Sequence, residues 1–306
     1  MAKKVLITGI SGFIGRNIAL KFQGIGCDIF GWDIFESRFE NAELSFFDMD
    51  NYEAVENKLR ELTPDIIIHC AGCADVGKSV ENPQQDFKGN VAVTHNLLFA
   101  IHGLRLVDTR VIFISSAAVY GNPESLPINE ESKRNPLSPY ALHKAMDEQI
   151  CLYFHQNYGM DIKIARIFSA YGRGLKKQIF WDMYRKAIAT GKLSMMGTGN
   201  ESRDYVHITD VTEAVVRIAF HAKQAELVYN IAGGEEVTIK SATNIFADYM
   251  KIRKESISFC GKTREGDPAN WHADISKLEA LGYQRSVSLE EGIKDYIAWL
   301  KGEEGL

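Results

Sequence analysis

A glycine-rich turn directly after a short apolar run constrains the fold of this 306-residue chain more than any other feature. The run is Val5-Leu6-Ile7, and the turn is Thr8-Gly9-Ile10-Ser11-Gly12-Phe13-Ile14-Gly15, which opens a helical pattern over 12–23. Glycines let the backbone approach a pyrophosphate closely, and the helix N-terminus offers N–H groups and a positive dipole end. This context is typical of a dinucleotide site. We predict cofactor contacts from Gly9, Gly12, Phe13, Ile14 and Gly15.

The next strand-like run ends in Asp33, which bears on the choice of dinucleotide. A carboxylate at this position accepts hydrogen bonds from the adenosine ribose hydroxyls and repels a 2′-phosphate, so it favours NAD over NADP. Arg16 and Arg38 keep NADP open, because an arginine near the ribose can bind a phosphate. The competing interpretation of this segment is a set of turn glycines beside an ordinary surface aspartate.

Strand-like and helical patterns alternate through the first half of the chain. Strand-like runs cover 4–8, 28–32, 43–47, 65–69, 110–115 and 162–168. Helical patterns cover 12–23, 51–61, 84–102 and 138–157. This alternation predicts the α/β class, a doubly wound parallel sheet of the Rossmann type, with binding residues at the carboxyl ends of its strands.

The pattern changes after 171–174, where shorter and mixed elements are separated by glycines. We therefore predict a dinucleotide-binding domain over 1–170 and a smaller, mixed α/β substrate-binding domain over 171–306. A segment near 206–232 is expected to return to the sheet of the first domain.

Composition excludes several classes of protein. The net charge is −5 and no long Lys/Arg block occurs, so nucleic acid is not an expected partner. No apolar run approaches the roughly 18 residues that a membrane helix needs. The five cysteines are scattered, which indicates a reduced, soluble, cytoplasmic chain. Cys70 and Cys73 have redox or zinc spacing without a second pair, so we expect them to line the cofactor cleft and expect no metal.

Tyr140 and Lys144 lie at the predicted start of a helix, after Ser138, a good N-cap, and Pro139. A spacing of four residues places the phenol and the ammonium on one helical face. An ammonium beside a phenol favours the phenolate, which can take a proton from a hydroxyl while hydride leaves the same carbon. Together with the glycine turn, the pair indicates a nicotinamide-dependent oxidoreductase site.

These motifs resemble the extended short-chain dehydrogenase/reductases, in the branch of NAD-dependent nucleotide-sugar epimerases and dehydratases. The resemblance runs through nearly the whole chain. It rests on 8–15, Asp33, Asp48, His69-Cys70-Ala71-Gly72, Asn90-Val91, Ser115–Gly121, Tyr140 with Lys144, Arg203–His207 and Arg264–Asp267.

The resemblance implies roles for individual residues. Tyr140 would be the acid/base, Lys144 would hold the nicotinamide ribose, and Ser116 would bond the reacting sugar oxygen. Further cofactor contacts are implied for Asp48, Ala71, Gly72 and Asn90.

The resemblance also implies a substrate clamp. Arg203 and Arg264 would hold the substrate pyrophosphate, for which guanidinium forks are suited. The alternative for each arginine is an ion pair, with Asp204 and Asp267 respectively. Ser169 replaces an asparagine that contacts the substrate in many members, so the identity of the sugar stays open.

Ala117 and Ala118 stand where dehydratases of this branch carry an Asp-Glu pair, and methyl groups cannot move protons. We therefore expect an NAD-dependent nucleotide-sugar 4-epimerase that acts through a transient 4-keto sugar. A 4-keto reductase or 4-dehydrogenase is the alternative enzyme, and a non-catalytic NAD-binding regulator is the alternative outside enzymes. The family also suggests a homodimer packed through 84–102 and 138–157, and a role in surface-polysaccharide precursor synthesis.

Overall fold

The computed structural model describes residues 2–262, 268–303 and 305. The strands are β1 (Lys4–Thr8), β2 (Asp28–Asp33), β3 (Ala42–Phe46), β4 (Ile66–His69), β5 (Arg110–Ser116), β6 (Ile162–Ile167), β7 (Ser169–Tyr171), β8 (Leu193–Met195), β9 (Ser202–Arg203), β10 (Tyr205–His207), β11 (Val228–Ile231), β12 (Val237–Thr238) and β13 (Ile257–Phe259). The helices are α1 (Phe13–Gly24), α2 (Tyr52–Leu62), α3 (Val76–Glu81), α4 (Pro83–Phe87), α5 (Val93–Gly103), α6 (Pro139–Tyr158), α7 (Gln178–Thr190), α8 (Ile208–His221), α9 (Ile239–Met250), α10 (Ser276–Glu279) and α11 (Leu289–Glu303).

A seven-stranded parallel sheet organises the molecule, in the order β11-β6-β5-β4-β1-β2-β3. Its central strands are apolar along their length because both faces are covered: β4 reads Ile66-Ile67-Ile68-His69 and is buried throughout. One face packs against α1 and α8, and the other against α2, α5 and α6. The predicted doubly wound α/β class is confirmed.

The six predicted strand runs correspond to β1–β6 within one or two residues at either end. Three of the four predicted helices are α1, α2 and α6. The fourth, 84–102, is interrupted: α4 and α5 are joined by a π-helical turn at Lys88–Ala92. The short helix α3 was not predicted.

The later part of the chain contains its own core, formed by α7, α9, α11 and short strand pairs. Phe180 and Tyr184 of α7 are buried in it. The chain does return to the main sheet, because β11 pairs with β6. Strand β7 lies across the proposed boundary at 170/171 and pairs with β10, and the boundary itself stays a prediction.

Candidate active site

The carboxyl ends of four adjacent strands collect most of the predicted site residues at one edge of the sheet. Strands β5, β4, β1 and β2 are neighbours and run in the same direction. They end at Ser116, His69, Thr8 and Asp33. In open α/β sheets this edge is where ligands bind.

Tyr140 is placed by the start of α6. Ser138 Oγ accepts a hydrogen bond from the Ala141 N–H at 3.2 Å, and Pro139 occupies the first helical turn. The predicted cap is therefore present. The backbone N–H of Tyr140 donates to Oγ of the fully buried Ser79 at 3.1 Å, which ties α6 to α3. The half-buried Tyr140 thus sits on a helix end fixed from two sides.

Lys144 lies one turn further along α6 and is buried. Its Nζ donates to the Ile114 carbonyl at 3.2 Å and lies 4.6 Å from the centre of the Phe113 ring. Oδ2 of Asp147 lies 3.9 Å from the same nitrogen. These contacts hold the ammonium beside the end of β5, two residues before Ser116.

Ser116 is the last residue of β5 and caps the 3₁₀ turn Ala117–Tyr120. Its Oγ accepts from the Ala118 N–H at 3.1 Å, and accepting this bond leaves its own O–H able to donate to a substrate oxygen. Ala117 is fully buried and Ala118 is half-buried. Neither methyl group can act as an acid or a base.

A buried ionic network lies behind the serine. Ser115 Oγ donates to Glu148 Oε1 at 2.6 Å, and Arg166 binds both oxygens of Glu148 at 2.9 and 2.8 Å. Arg166 also donates to the Tyr120 hydroxyl at 2.7 Å. The network joins β5, α6 and β6 below the site, and it was not predicted, because nothing local in the sequence pairs Arg166 with Glu148.

The glycine turn needs its glycines for close backbone approach. Gly9 has φ of +69°, and a Cβ there would lie 2.7 Å from the backbone nitrogen of Ala71. A Cβ on Gly15 would lie 2.2 Å from the Gly9 carbonyl oxygen. Gly12 is the N-cap of α1, and no side chain caps this end. The first turn of α1, with Phe13 and Ile14, therefore presents backbone N–H groups suited to a pyrophosphate.

Asp33 is held in a fixed orientation at the end of β2. Its Oδ2 accepts from the Ser11 N–H at 2.9 Å, and its Oδ1 accepts from the Ile34 and Phe35 N–H groups at 2.8 and 3.1 Å. A carboxylate has further lone pairs for ribose hydroxyls. These donors belong to the glycine turn and to the loop after β2, so the carboxylate lies beside the turn, as a dinucleotide site requires.

Arg16 belongs to the same region. Its Nη1 donates to the Arg38 carbonyl at 3.3 Å, and its guanidinium lies 5.6 Å from the centre of the Phe39 ring. These contacts place Arg16 against the loop that follows Asp33. Arg16 and Arg38, the two arginines that kept NADP open as the cofactor, are therefore close to each other.

The loop after β4 lies against the turn. The Ala71 N–H donates to Thr8 Oγ1 at 3.1 Å, and a Cβ on Gly72 would lie 2.5 Å from Asn90 Oδ1. Nδ2 of Asn90 donates to the Asp86 carbonyl, whereas its Oδ1 is buried without a hydrogen-bond partner among the described residues. Such an orphaned acceptor fits a bound group that donates to it. Asp48, for which the resemblance implies a cofactor contact, is exposed.

The two cysteines of the loop after β4, Cys70 and Cys73, are half-buried. All five cysteines of the chain are free. Burial raises the pKa of Cys70 to about 12, and the nearby Lys144 ammonium opposes this only in part. Among the described residues no group of three His, Cys, Asp or Glu side chains could hold a metal ion. Nor is any helix of the described ranges long and apolar enough to cross a membrane.

The predicted substrate residues lie in the second half. Arg203 is half-buried; it donates to the Ser202 carbonyl at 2.7 Å and lies 5.7 Å from the Trp271 ring centre. The carboxylate of Asp204 is fully buried and accepts the N–H groups of Gly233, Gly234 and Ala273. Burial raises the pKa of Asp204 to about 6, against the effect of these donors.

The remaining substrate predictions have different outcomes. Ser169 begins β7, and its N–H donates to the Asp204 carbonyl at 3.1 Å. Arg264 lies outside the described residues, as does its partner in the ion-pair alternative.

The sequence and the fold match known proteins along nearly their whole length. The family model "NAD dependent epimerase/dehydratase family" matches residues 5–232. The "Putative UDP-glucose 4-epimerase" of Methanocaldococcus jannaschii is 32% identical, over 97% of this chain and 98% of that protein. The UDP-glucose 4-epimerase of Thermotoga maritima, solved with UDP-glucose, has a TM-score of 0.90 at 26% identity and covers 98% and 99% of the two chains.

A second solved structure is the UDP-glucuronic acid 4-epimerase of Bacillus cereus in complex with UDP-glucuronic acid and NAD. Its TM-score is 0.88 at 26% identity, with 98% and 99% of the two chains covered. The fold and the site define an α/β protein with a dinucleotide site at the edge of a parallel sheet. This chain belongs to the NAD-dependent epimerase/dehydratase family, which confirms the resemblance in its motifs.

Proposed function

We propose that this chain is an NAD-dependent nucleotide-sugar 4-epimerase. The observation that carries the proposal is the grouping of Tyr140, Lys144 and Ser116 at one end of β5 and α6, next to two alanines. The names of its relatives support the same activity, because UDP-glucose and UDP-glucuronic acid 4-epimerases match it from end to end.

The glycine turn, the start of α1 and Asp33 would hold NAD, and Lys144 would hold its nicotinamide ribose. Bound NAD supplies a hydride acceptor that returns the hydride in the second half of the reaction. NAD is favoured over NADP because the Asp33 carboxylate, fixed by Ser11, occupies the space near the ribose hydroxyls.

Tyr140 is the acid/base of the proposed reaction. It removes the proton of the sugar C4 hydroxyl as hydride leaves C4, which gives a 4-keto sugar. Ser116 donates a hydrogen bond to the same oxygen, and the Lys144 ammonium stabilises the phenolate. The ketone then turns in the pocket, accepts hydride on its other face and takes the proton back from Tyr140.

Elimination of water from the sugar is not part of this mechanism. It would need an acid and a base beside C5 and C6, at the positions of Ala117 and Ala118. Because the hydride removed from C4 is returned to C4, the reaction is redox-neutral overall and needs only bound cofactor.

The substrate contacts are also proposals. We assign the substrate diphosphate to Arg203 and Arg264, and a contact with the sugar to Ser169.

The proposal is tested by NMR of UDP-, dTDP- and GDP-sugars incubated with protein and catalytic NAD. A new anomeric signal that grows to equilibrium, without lasting NADH absorbance, is the expected result. In a parallel incubation with NAD in excess over the sugar, NADH formed in an amount equal to the sugar consumed would indicate a 4-dehydrogenase instead. Turnover of 4-keto sugars with NADH or NADPH alone would indicate the reductase.

We further propose a cytoplasmic homodimer that acts in the synthesis of surface-polysaccharide precursors. The support for the dimer is an exposed apolar surface on α5 and α6. Phe99, Leu142, Tyr153 and Tyr158 are 47%, 48%, 54% and 45% exposed there. Phe99, Tyr153 and Tyr158 border a groove of about 340 Å³, and apolar patches of this kind favour association. The location rests on the free cysteines, and the pathway rests on the family alone.

A further inference from the structure

Asp147 is a buried ionisable group that the proposed reaction does not use. It lies on α6 and is fully buried. Neither of its carboxylate oxygens accepts a hydrogen bond of normal geometry within the described part of the chain, although the Thr94 hydroxyl is close enough to favour the charged form. Buried carboxylates are almost always hydrogen-bonded, because desolvating an unbonded one costs several kcal/mol. An arrangement this costly calls for a reason other than stability.

The charge nearest to Asp147 is that of Lys144. The carboxylate Oδ2 lies 3.9 Å from Nζ, and both side chains are almost completely buried. Burial raises the pKa of Asp147 to about 6, and the Lys144 ammonium and the Thr94 hydroxyl oppose this effect. At pH 7 to 8 the carboxylate is therefore ionised, directly beside the ammonium.

The ionisable groups that interact with Asp147 are Lys144, His143, Glu148 and Cys151, all on α6. The Lys144 ammonium also acts on His69 of β4 and on Cys70 and Cys73 in the loop after β4, and Asp86 of α4 binds His143.

Most of these groups are neutral or are paired with a residue other than Asp147. His143 Nδ1 lies 2.6 Å from Asp86 Oδ2, and Glu148 binds Arg166. His69 is neutral, since burial and then the Lys144 ammonium lower its pKa to about 3. Lys144 is therefore the group whose charge Asp147 is placed to influence.

We propose that Asp147 is a positioning residue for Lys144, which holds the ammonium against the Ile114 carbonyl and limits the field that this ammonium exerts on Tyr140. The inference rests on the proposed function, because it assumes that Tyr140 is the acid/base. Without the carboxylate, the ammonium loses one of the groups that fix its position. Its charge also becomes uncompensated, which stabilises the phenolate further.

The test is the pH profile of kcat/KM for Asp147→Asn, which keeps the shape and removes the charge. We expect the acidic limb to move to lower pH by about one unit. We expect kcat at pH 8 to fall about tenfold or more, the order of loss caused by a misplaced catalytic group. KM for the sugar should change little. Asp147→Glu restores the charge and should return the acidic limb toward its native position.

Asp210→Asn is the matched control. Asp210 is a buried carboxylate of α8 that accepts from Ser286 and from the Val287 N–H. Its loss should lower stability without moving the acidic limb. An unshifted limb and a native kcat in Asp147→Asn, or a limb that also stays shifted in Asp147→Glu, would overturn the proposal.

Tyr140→Phe, measured alongside, separates this proposal from the proposed function. If Tyr140→Phe is inactive and Asp147→Asn has a native profile, only the role of Asp147 is contradicted. If Tyr140→Phe turns over normally, the site assignment itself fails, and the inference about Asp147 fails with it.

Discussion

Tyr140 carries the proton chemistry of the proposed reaction, and its position follows from ordinary helix-capping rules. Ser138 caps α6 and Pro139 starts it, so the phenol falls one turn before Lys144. Ser79 binds the Tyr140 N–H from α3. The first of these relations can be predicted from the sequence, and the second requires the fold.

Tyr140→Phe should lower kcat by about 10²- to 10⁴-fold, the usual contribution of a positioned acid/base. The ring is retained, so NAD should remain bound. Steady-state kinetics and the nucleotide released on denaturation measure the two effects. Native turnover in this variant would contradict the role of Tyr140.

Asp33→Asn should weaken NAD binding about tenfold or more. The difference between the affinities for NAD and NADP should also become smaller. Hydrogen bonds to a charged group contribute about 1.5–3 kcal/mol, and the variant also loses the repulsion of a 2′-phosphate. Calorimetric titration with both cofactors measures the change. Asp28→Asn is the control, at the exposed opposite end of the same strand. Equal effects of the two variants would argue against the assignment of Asp33.

The strands and longer helices of the first half of the chain were predictable because their signals are local, whereas the shorter, mixed elements of the second half were not predicted individually. Apolar runs predicted β1–β6, the glycine turn predicted the start of α1, and the Ser138 cap with Pro139 predicted the start of α6. The six-residue helix α3 has too weak a pattern of its own. The pairs behind the site were also missed: Asp86 and His143 are 57 residues apart in sequence, and Glu148 and Arg166 are 18 apart. Only tertiary packing of α4, α6 and β6 brings them together.

Helix α6 should be less stable than it could be, because it buries Asp147. The pKa of this carboxyl rises on folding from 3.8 to about 6. Its contribution to stability is therefore complete below pH 3.8 and is lost as the pH rises through 6. Asp147→Asn cannot ionise and does not suffer this loss.

From pH 5 to pH 8, the free energy of unfolding of Asp147→Asn should rise relative to the native protein by about 1–2 kcal/mol. Urea unfolding at the two pH values measures the difference. A variant that becomes relatively less stable at pH 8 would show that the carboxylate stabilises the fold. The burial of Asp147 would then be explained by its contribution to stability.

The proposed active site lies where the main sheet meets the second half of the chain. Asp204 is central to this arrangement, since it binds the backbone at Gly233, Gly234 and Ala273. The sequence indicated a return to the sheet near 206–232, and β11 fulfils it. The sequence did not indicate how Asp204 is used, because its partners are distant in sequence.

The exposed surface of α5 and α6 predicts a dimer that a single charge can break. Tyr153→Glu places a carboxylate in this surface and should convert a particle of twice 34.3 kDa into one of 34.3 kDa. Phe220→Glu, at another exposed aromatic residue, on α8, should leave the dimer intact. Light scattering after size exclusion measures both. A monomeric native protein would contradict the proposed dimer.

The return of the same hydride to C4 is the central claim of this account. It is tested most directly with a nucleotide sugar that carries deuterium at C4, incubated with the protein and catalytic NAD. The account predicts that the 4-epimer forms with its deuterium still at C4, and that none appears in water or in free NADH. Loss of deuterium to solvent, or conversion of the added NAD into free deuterated NADH, would contradict it.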